Sequence, residues 1–447
     1  MKHIEKIGEI PESWKVLKAY RYIYLESGQR PKKFVTDNPN DIPSLGGENI
    51  GGDGFLKFEN IRFVDKSYYD KTNKGHLKHY DVLINKDGAN TGKIAIYDEQ
   101  KFEKALINEH VFIMRSKDID QRFLFYFYYS KIGQNQIQAK VVGSAQGGIN
   151  NGFLKGTYIP KPPKPEQKAI AGILTKVDEA IKATQESIKA TQKLKKALMQ
   201  NLLTGKMKPD GSISEDSNLR NTKYGKAASS WRYCQIRELV KENVILKIQD
   251  GNHGEIHPTS KDFTESGIPF IMASDISKGF IDYTNCKFIT KQRAEKLRIG
   301  FAREGDVLLS HKASLGYTAI VGELTEDYIM LTPQVTYYRT NKNKLKPEYL
   351  KYFFEMYTYQ ILFESYAKQS TRNYIGITNQ KKMWFYYPEE IEEQEKLIKP
   401  LVDVDDVLRN KQIKTEILKK LKKSLMQQLL TGKKRVDVVK VNHLLKA

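Results

Sequence analysis

Apolar residues recur along this chain with two different periods, and the change from one to the other sets out its elements. Downstream of Gln167 a seam returns at alternating steps of four and three: Ile170, Leu174, Val177, Ile181, Thr184, Ile188, Thr191, Lys195, Leu198 and Leu202. The same spacing follows Gln394, through Leu397, Leu401, Val404, Leu408, Lys411, Thr415, Leu418, Lys422, Leu425 and Leu429. Alternation of four and three keeps one face of a helix toward a partner, so each stretch predicts a coiled-coil helix of about five heptads, roughly 55–60 Å long. Both stretches end in Thr-Gly-Lys, where Gly205 and Gly432 suit the left-handed residue that stops a helix. Pro400 lacks a backbone N–H and predicts a kink in the second helix or a start there.

Elsewhere the apolar runs are short, β-rich and broken by Gly and Asn. DVLINK (81–86), KIAIYD (93–98), ALINEHVFIMR (105–115) and TPQVTYYR (332–339) predict strands. RFLFYFYYSKIGQNQIQ (122–138) and PEYLKYFFEMYTYQILFESYAK (347–368) predict aromatic helices whose rings belong to a core. The polar stretch 207–228, rich in Ser, Asn and Gly, predicts a linker.

The two long helices are copies of one another. Residues 167–206 align with 394–433 without a gap (394 − 167 = 433 − 206 = 227), with 17 identities in 40 positions, 12 of them in KLKKALMQNLLTGK against KLKKSLMQQLLTGK. The polar interruptions Thr184 and Lys411, and Lys195 and Lys422, fall at matched positions, so packing the seams on each other buries both. The preceding segments repeat more faintly: DIPSLGGENI (41–50) with GIPFIMASDI (267–276), HVFIMR (110–115) with QVTYYR (334–339), SAQGGI (144–149) with STRNYI (370–375). The fold expected is α+β: two α/β heads separated by two long helices packed as an antiparallel coiled coil, with a pseudo-twofold internal repeat.

Charge then points toward a partner. The 447 residues carry 74 Lys and Arg against 53 Asp and Glu, a net +21 that attracts polyanions. Two cysteines, Cys234 and Cys286, leave neither a disulfide framework nor a cysteine-rich zinc site. No apolar run reaches membrane-spanning length and the start lacks a signal-peptide pattern, which predicts a cytoplasmic location.

Catalytic motifs do not follow from this composition. Gly88 to Gly92-Lys93 has neither the spacing nor the Ser or Thr of a phosphate-binding loop, and GGENIGGDG (46–54) lacks dinucleotide spacing. Asp37-Asn38-Pro39-Asn40 lacks the second proline and the aromatic of an amino-methyltransferase motif. Pro209-Asp210 has no acidic partner strand, and His253 and His257 are separated by a helix-breaking Gly254. The chain is therefore expected to hold no metal or cofactor and to be no enzyme.

Recognition of base edges needs amide, guanidinium, ammonium or hydroxyl groups on a rigid support. Two pairs of equivalent loops concentrate them. In the first head they carry Lys86, Asn90 and Lys93, then Ser144, Gln146, Asn150 and Asn151. In the second they carry His311, Lys312 and Ser314, then Ser370, Thr371, Arg372, Asn373 and Tyr374. Gln146 stands at the place of Arg372, so the two heads are suited to different bases there.

The sequence as a whole resembles the specificity subunit of a type I restriction-modification system. The resemblance rests on PKPPKPEQ (160–167) and YPEEIEEQ (387–394) leading into the helices, on the two LMQxLLTGK ends, and on head blocks such as GDVLLSHKASLG (305–316). The second approach has one proline where the family has two. The resemblance implies target-recognition domains at 1–160 and 229–388, conserved helices at 161–206 and 389–435, a linker at 207–228 and a tail at 436–447. It implies that each domain reads one half of a bipartite site in double-stranded DNA, while the helices set the unread spacer. It further implies two modification (methyltransferase) subunits and two restriction (motor-nuclease) subunits as partners in DNA methylation and host defence. S-adenosylmethionine, ATP and Mg are then expected only in those partners. Two rivals are a targeting subunit whose single partner both methylates and cleaves, and a basic coiled-coil scaffold for acidic proteins.

Overall fold

A computed structural model describes residues 1–31, 34–98, 102–143, 147–254, 256–277, 279–312, 315–368 and 374–446. The chain divides into two compact units that do not follow the linear order of its segments. The first comprises Met1–Gln185 and Ile413–Ala447, the second Glu186–Gln412. Each unit thus holds one head, the half of the long helix next to it, and the far half of the other long helix.

The expected mixed α+β architecture with a long helix pair is what forms. The first long helix is Lys164–Leu202 and the second Ile391–Leu429, each of 39 residues. The second helix runs through Pro400, so the late start is not taken. The missing N–H there leaves the carbonyl four residues earlier without its intrahelical donor. Gly205 and Gly432 both take positive φ, at 68° and 65°, as the Thr-Gly-Lys ends require. A side chain at either glycine would also collide: a Cβ on Gly205 falls 2.6 Å from Ala228 Cβ, and one on Gly432 falls 2.5 Å from Pro11 Cδ.

In the first unit, strands Leu106–Ile107, Ile42–Leu45, Arg62–Val64 and Val35–Thr36 form one sheet in that order, with the first pair parallel. Strands Tyr24–Ser27, Val111–Arg115, Asp81–Asn85 and Ile94–Tyr97 form a second, antiparallel sheet. The second unit repeats both. Phe263–Thr264, Lys287–Ile289, Ile268–Ile271 and Ile329–Leu331, with Phe301–Ala302 added at the edge, match the first sheet, parallel pair included. Ile245–Asp250, Val335–Thr340, Val307–Ser310 and Thr318–Ile320 match the second.

The predicted aromatic helices each break in two. Gln121–Tyr129 is followed by Lys131–Gln138, and Pro347–Glu355 by Tyr357–Lys368. Ser130 is extended (ψ 160°) and its hydroxyl accepts from Gly133 N, capping the new helix. Gly133 is required because a Cβ there would stand 2.2 Å from the Phe127 carbonyl oxygen. The rings do enter the cores: Phe123, Phe125 and Phe127 of the first unit and Tyr349, Phe353 and Tyr359 of the second are buried.

Each core continues from its head onto both helix halves. Trp14 and Phe123 share a cluster with Ile170, Leu174, Met426 and Leu429, and Trp231 and Phe353 share one with Met199, Leu202, Leu397 and Leu401. The outer seam positions are buried, and Val177, Ile188, Leu198, Val404, Leu418 and Leu425 are half-buried. The expected linker is not featureless. Leu219–Thr222 and Gly225–Ala228 form a hairpin, matched in the first unit by Lys2–Ile4 and Gly8–Ile10. The shared Gly and Ser-Trp of GEIPESW (8–14) and GKAASSW (225–231) were the signal for it.

Candidate nucleic-acid interface

The two candidate loops of each head meet. In the first unit Ile149 N donates to Lys86 O (2.8 Å), Gly88 N to Gly147 O (3.2 Å) and Thr91 Oγ1 to Gly147 O (2.7 Å). In the second, Lys312 bridges Tyr374 and Ile375 N donates to His311 O (3.1 Å). The connection of Asp87 with Gly148 corresponds to that of Lys312 with Tyr374, so the second pair of loops lies on the first in the same register in both heads.

Within these loops the named side chains divide by availability. Lys93 is exposed and its ammonium donates to Asn90 Oδ1 (2.7 Å), while Asn90 Nδ2 donates to Gly47 O (3.1 Å). Asn150 and Asn151 are exposed, with Asn150 Oδ1 accepting from Gly152 N (2.8 Å). Lys312 is half-buried, and Tyr374 is 37% exposed. Lys86 turns inward, where its ammonium donates to Glu109 O and lies 5.4 Å from the Phe112 ring centre. Ser144, Gln146, Ser314, Ser370, Thr371, Arg372 and Asn373 lie outside the described residues.

His311 requires a correction. Its side chain has no exposed surface, so it holds the loop from beneath and offers nothing to a base. Nε2 lies 3.1 Å from Pro333 O, Nδ1 lies 2.6 Å from Thr336 Oγ1, and Thr336 donates to Asp250 Oδ1 (2.6 Å). Burial holds the imidazole below its ordinary pKa against the opposite pull of Asp250. The sequence placed a polar residue correctly in the loop but gave no sign of which way it faces.

Beneath the loops, repeated polar groups tie each head to its helices. Gln167 Oε1 accepts from Asp120 N (2.8 Å) and its Nε2 donates to Pro162 O (2.9 Å). Gln394 Oε1 accepts from Lys346 N (2.9 Å) and its Nε2 donates to Pro388 O (2.8 Å). A side-chain amide carries both donor and acceptor, which explains why Gln recurs at this buried start of each helix. Trp14 Nε1 donates to Glu166 Oε2 (3.1 Å) and Trp231 Nε1 to Glu393 Oε1 (2.9 Å).

A third tie joins three elements at one carboxylate. Asp178, on the first long helix, lies 2.7 Å from Lys422 Nζ on the second, and Tyr126 OH donates to Asp178 Oδ2 (2.9 Å) from the head. In the second unit Lys195 Nζ lies 2.7 Å from Asp405 Oδ1, and Tyr352 OH donates to Asp405 Oδ2 (2.8 Å). Within the first unit Glu166 meets Arg435 and Asp178 meets Lys422, and within the second Thr191 meets Lys411 and Lys195 meets Asp405. A later residue on one stretch of chain thus meets an earlier one on the other, and the two helix halves of each unit run antiparallel. Burial raises the Asp178 carboxyl above its ordinary pKa. Burial acts on Asp405 too, but Lys351 and Lys195 outweigh it and hold that carboxyl below its ordinary value.

Among the described residues no group of three or more His, Cys, Asp or Glu is placed to hold a metal ion, and no helix is long and apolar enough to cross a membrane. Residues 11–192 match the model of the type I restriction modification DNA specificity domain. The chain is similar to the type I restriction enzyme MjaVIII specificity subunit of Methanocaldococcus jannaschii, 24% identical over 436 residues, which is 96% of this chain and 94% of that protein. It is 22% identical over 364 residues to the type I restriction enzyme EcoKI specificity subunit of Escherichia coli, covering 78% of this chain and 72% of the relative. The crystal structure of the type I restriction-modification S subunit from M. genitalium shares the fold, with a TM-score of 0.59 at 15% identity over 96% of this chain and 98% of that one.

Proposed function

We propose, from the premise that this chain is a type I restriction-modification specificity subunit, that it selects a two-part DNA sequence with one head on each half. Specificity subunits are the non-catalytic, DNA-recognizing components of these complexes. The two long helices then set the unread gap, and the assembly works on DNA in the cytoplasm. The observation that carries this reading is the repetition itself. Two heads share their sheets, their buried Gln and Trp ties and their loop register, yet differ in the residues those loops present.

Recognition domains are assigned to 1–160 and 229–388, the helices that join them to 161–206 and 389–435, and a linker and a tail to 207–228 and 436–447. Contacts with DNA fall to Asn90, Lys93, Asn150 and Asn151 in the first head and Lys312 and Tyr374 in the second. Ser144, Gln146, Ser314, Ser370, Thr371, Arg372 and Asn373 are further candidates on their side-chain chemistry alone. Lys93 serves the phosphate backbone, a sequence-independent attraction that salt weakens. Two modification subunits and two restriction subunits associate with the chain, and S-adenosylmethionine, ATP and Mg chemistry resides in them.

Exchange of residues 229–388 for the second head of a relative tests the assignment. Sequencing of methylated DNA from cells carrying the chimera and the methyltransferase should show one half-site changed and the other half-site and the gap retained. A change in both halves contradicts independent reading.

A further inference from the structure

Most seam positions of the long helices are weak specifiers of alignment. Between the apolar ends lie Thr184, Thr191, Lys411 and Thr415. The Thr184 and Thr191 hydroxyls donate back to the carbonyls of Ala180 and Ser187 on their own helix, and Lys411 Nζ donates across to Thr191 Oγ1 (2.7 Å), a neutral acceptor that a slip replaces at small cost. Over this middle stretch a heptad slip exchanges one polar residue for another, so resistance to it falls to the ends, where Met426, Leu429, Met199 and Leu202 pack into the head cores, and to buried charges. Two points are different. Asp178 and Asp405 are 227 positions apart (405 − 178), as are Lys195 and Lys422 (422 − 195), so one acid and one base recur in each helix. Each acid meets the base of the opposite helix at 2.7 Å, in surroundings where Asp178 is 7% and Lys422 10% exposed.

A buried charge that loses its partner is costly, whereas a mid-seam Thr that slips by seven finds an equivalent neighbour. By general measure a slip that stranded such a charge would be disfavored by a factor of roughly 10² or more. Buried polar groups are best attested in this role, selecting one alignment of a helix pair among several. The third partner extends the effect to the heads. Tyr126, on the helix Gln121–Tyr129, and Tyr352, on Pro347–Glu355, donate to the same two carboxylates.

We propose that Asp178 with Lys422 and Tyr126, and Asp405 with Lys195 and Tyr352, are positioning residues that fix one helix register and the seat of each head on it. They thereby make the subunit discriminate between gap lengths in its DNA site. None of the six touches DNA in this account. The inference rests on the two-headed reading of function and adds the residues that give its gap a single value.

The test uses the full chain assembled with its methyltransferase partner, on duplex pools in which the two half-sites are separated by gaps varied one base pair at a time. The wild type should methylate one gap about 100-fold over gaps roughly three base pairs longer or shorter, the change that one heptad of slip makes. Asp178→Asn with Asp405→Asn should lower that ratio about tenfold or more without altering the half-site bases. The reciprocal exchange Asp178→Lys with Lys422→Asp should recover most of the selectivity of the first unit. Tyr126→Phe removes one hydroxyl from an otherwise intact core, so it folds if the charge variants do not, and it should broaden the gap preference by a smaller factor. Unchanged gap selectivity in the double Asn variant, or in Tyr126→Phe when the charge variants do not fold, overturns the proposal.

A second readout separates this inference from the functional reading. Spin labels at Lys176 and Lys419, exposed on the two long helices within the first unit, report helix register without DNA, since both native cysteines are buried. Asp178→Asn should broaden or split the label distance, and the reciprocal exchange should narrow it again. A wild type with no two-part site, together with this label response, sinks the functional reading and leaves the register assignment standing. An unmoved label distance sinks the register assignment alone.

Discussion

Asp178 and Asp405 occupy equivalent places in the two units, make equivalent bonds to a lysine and a tyrosine, and meet different electrostatic surroundings. Lys422 pairs with Asp178 and has rings beside it, with Tyr129 4.6 Å and Phe55 5.6 Å from its ammonium. In the second unit Glu355 takes the place of Tyr129. It lies 2.8 Å from Lys195, and Lys351 adds a second cation 3.2 Å from both Glu355 and Asp405. Among the described residues the first unit therefore sets one buried ion pair against aromatic faces, with Asp53 acting on Asp178 from nearby, and the second a network of two acids and two bases. A shared framework tolerates such divergence because the geometry of the carboxylate is retained while its compensation varies.

The heads diverge in the same manner at the root of the candidate loops. Residues 86 and 311 follow equivalent strands. Lys86 is spent on Glu109 O and the Phe112 ring, and His311 on Pro333 O and Thr336, where Phe112 and Thr336 are themselves equivalent. Different buried pillars thus stand under the same loop register without a change of fold.

The largest contrast should come from removing the acids. Asp178→Ala strands Lys422 and should destabilize the helix amides of the first unit by about 3–5 kcal/mol. Asp405→Ala leaves Glu355 beside both lysines and should cost the second unit only about 1–3 kcal/mol. Native-state hydrogen exchange measures both, and equal losses would erase the distinction drawn between pair and network.

The tryptophan ties give a smaller contrast of opposite sense. Arg435 holds Glu166 through two bonds, at 2.7 and 2.9 Å, in addition to Trp14. Trp231→Phe should therefore cost about 1.5–3 kcal/mol, and Trp14→Phe about 1 kcal/mol or less, since Arg435 keeps its partner. The same exchange experiment, read at the first turns of each long helix, checks the order.

The smallest effect is in acid. Asp178 has its folded pKa above the ordinary 3.8, so folding favors its protonated form and its contribution to stability grows as pH falls through that raised value. Asp405 has its folded pKa below 3.8, so its contribution is present above 3.8 and is lost as pH falls through the depressed value. A carboxyl ¹³C titration should show Asp178 taking its proton above 3.8 and Asp405 below it. Coincident titration would mean that the extra lysine of the second unit is without consequence.

The sequence made the helices, their matched seams and the α/β heads legible because periodicity and repetition are local signals. Gly205 and Gly432 were readable for the same reason. The ties were not. Val-Asp recurs at 177–178 and 404–405 and Lys at 195 and 422, but pairing the acid of one helix with the base of the other needs the antiparallel register, which a heptad pattern leaves open. His311 has side-chain chemistry suited to a base edge and lies in a candidate loop, and only the strand beneath it decides that it faces inward. The hairpin Leu219–Thr222 and Gly225–Ala228 was hidden because a polar composition outweighed a Gly turn followed by Ser-Trp.

The central claim is that the helix pair measures the gap between two half-sites. Insertion of one heptad into each long helix, after Gln185 and after Gln412, lengthens the pair by about 10 Å, or roughly three base pairs of duplex. Sequencing of methylated DNA from cells carrying this variant and its methyltransferase should return the same two half-sites with a gap longer by about three base pairs. The same half-sites at the original gap would contradict the account.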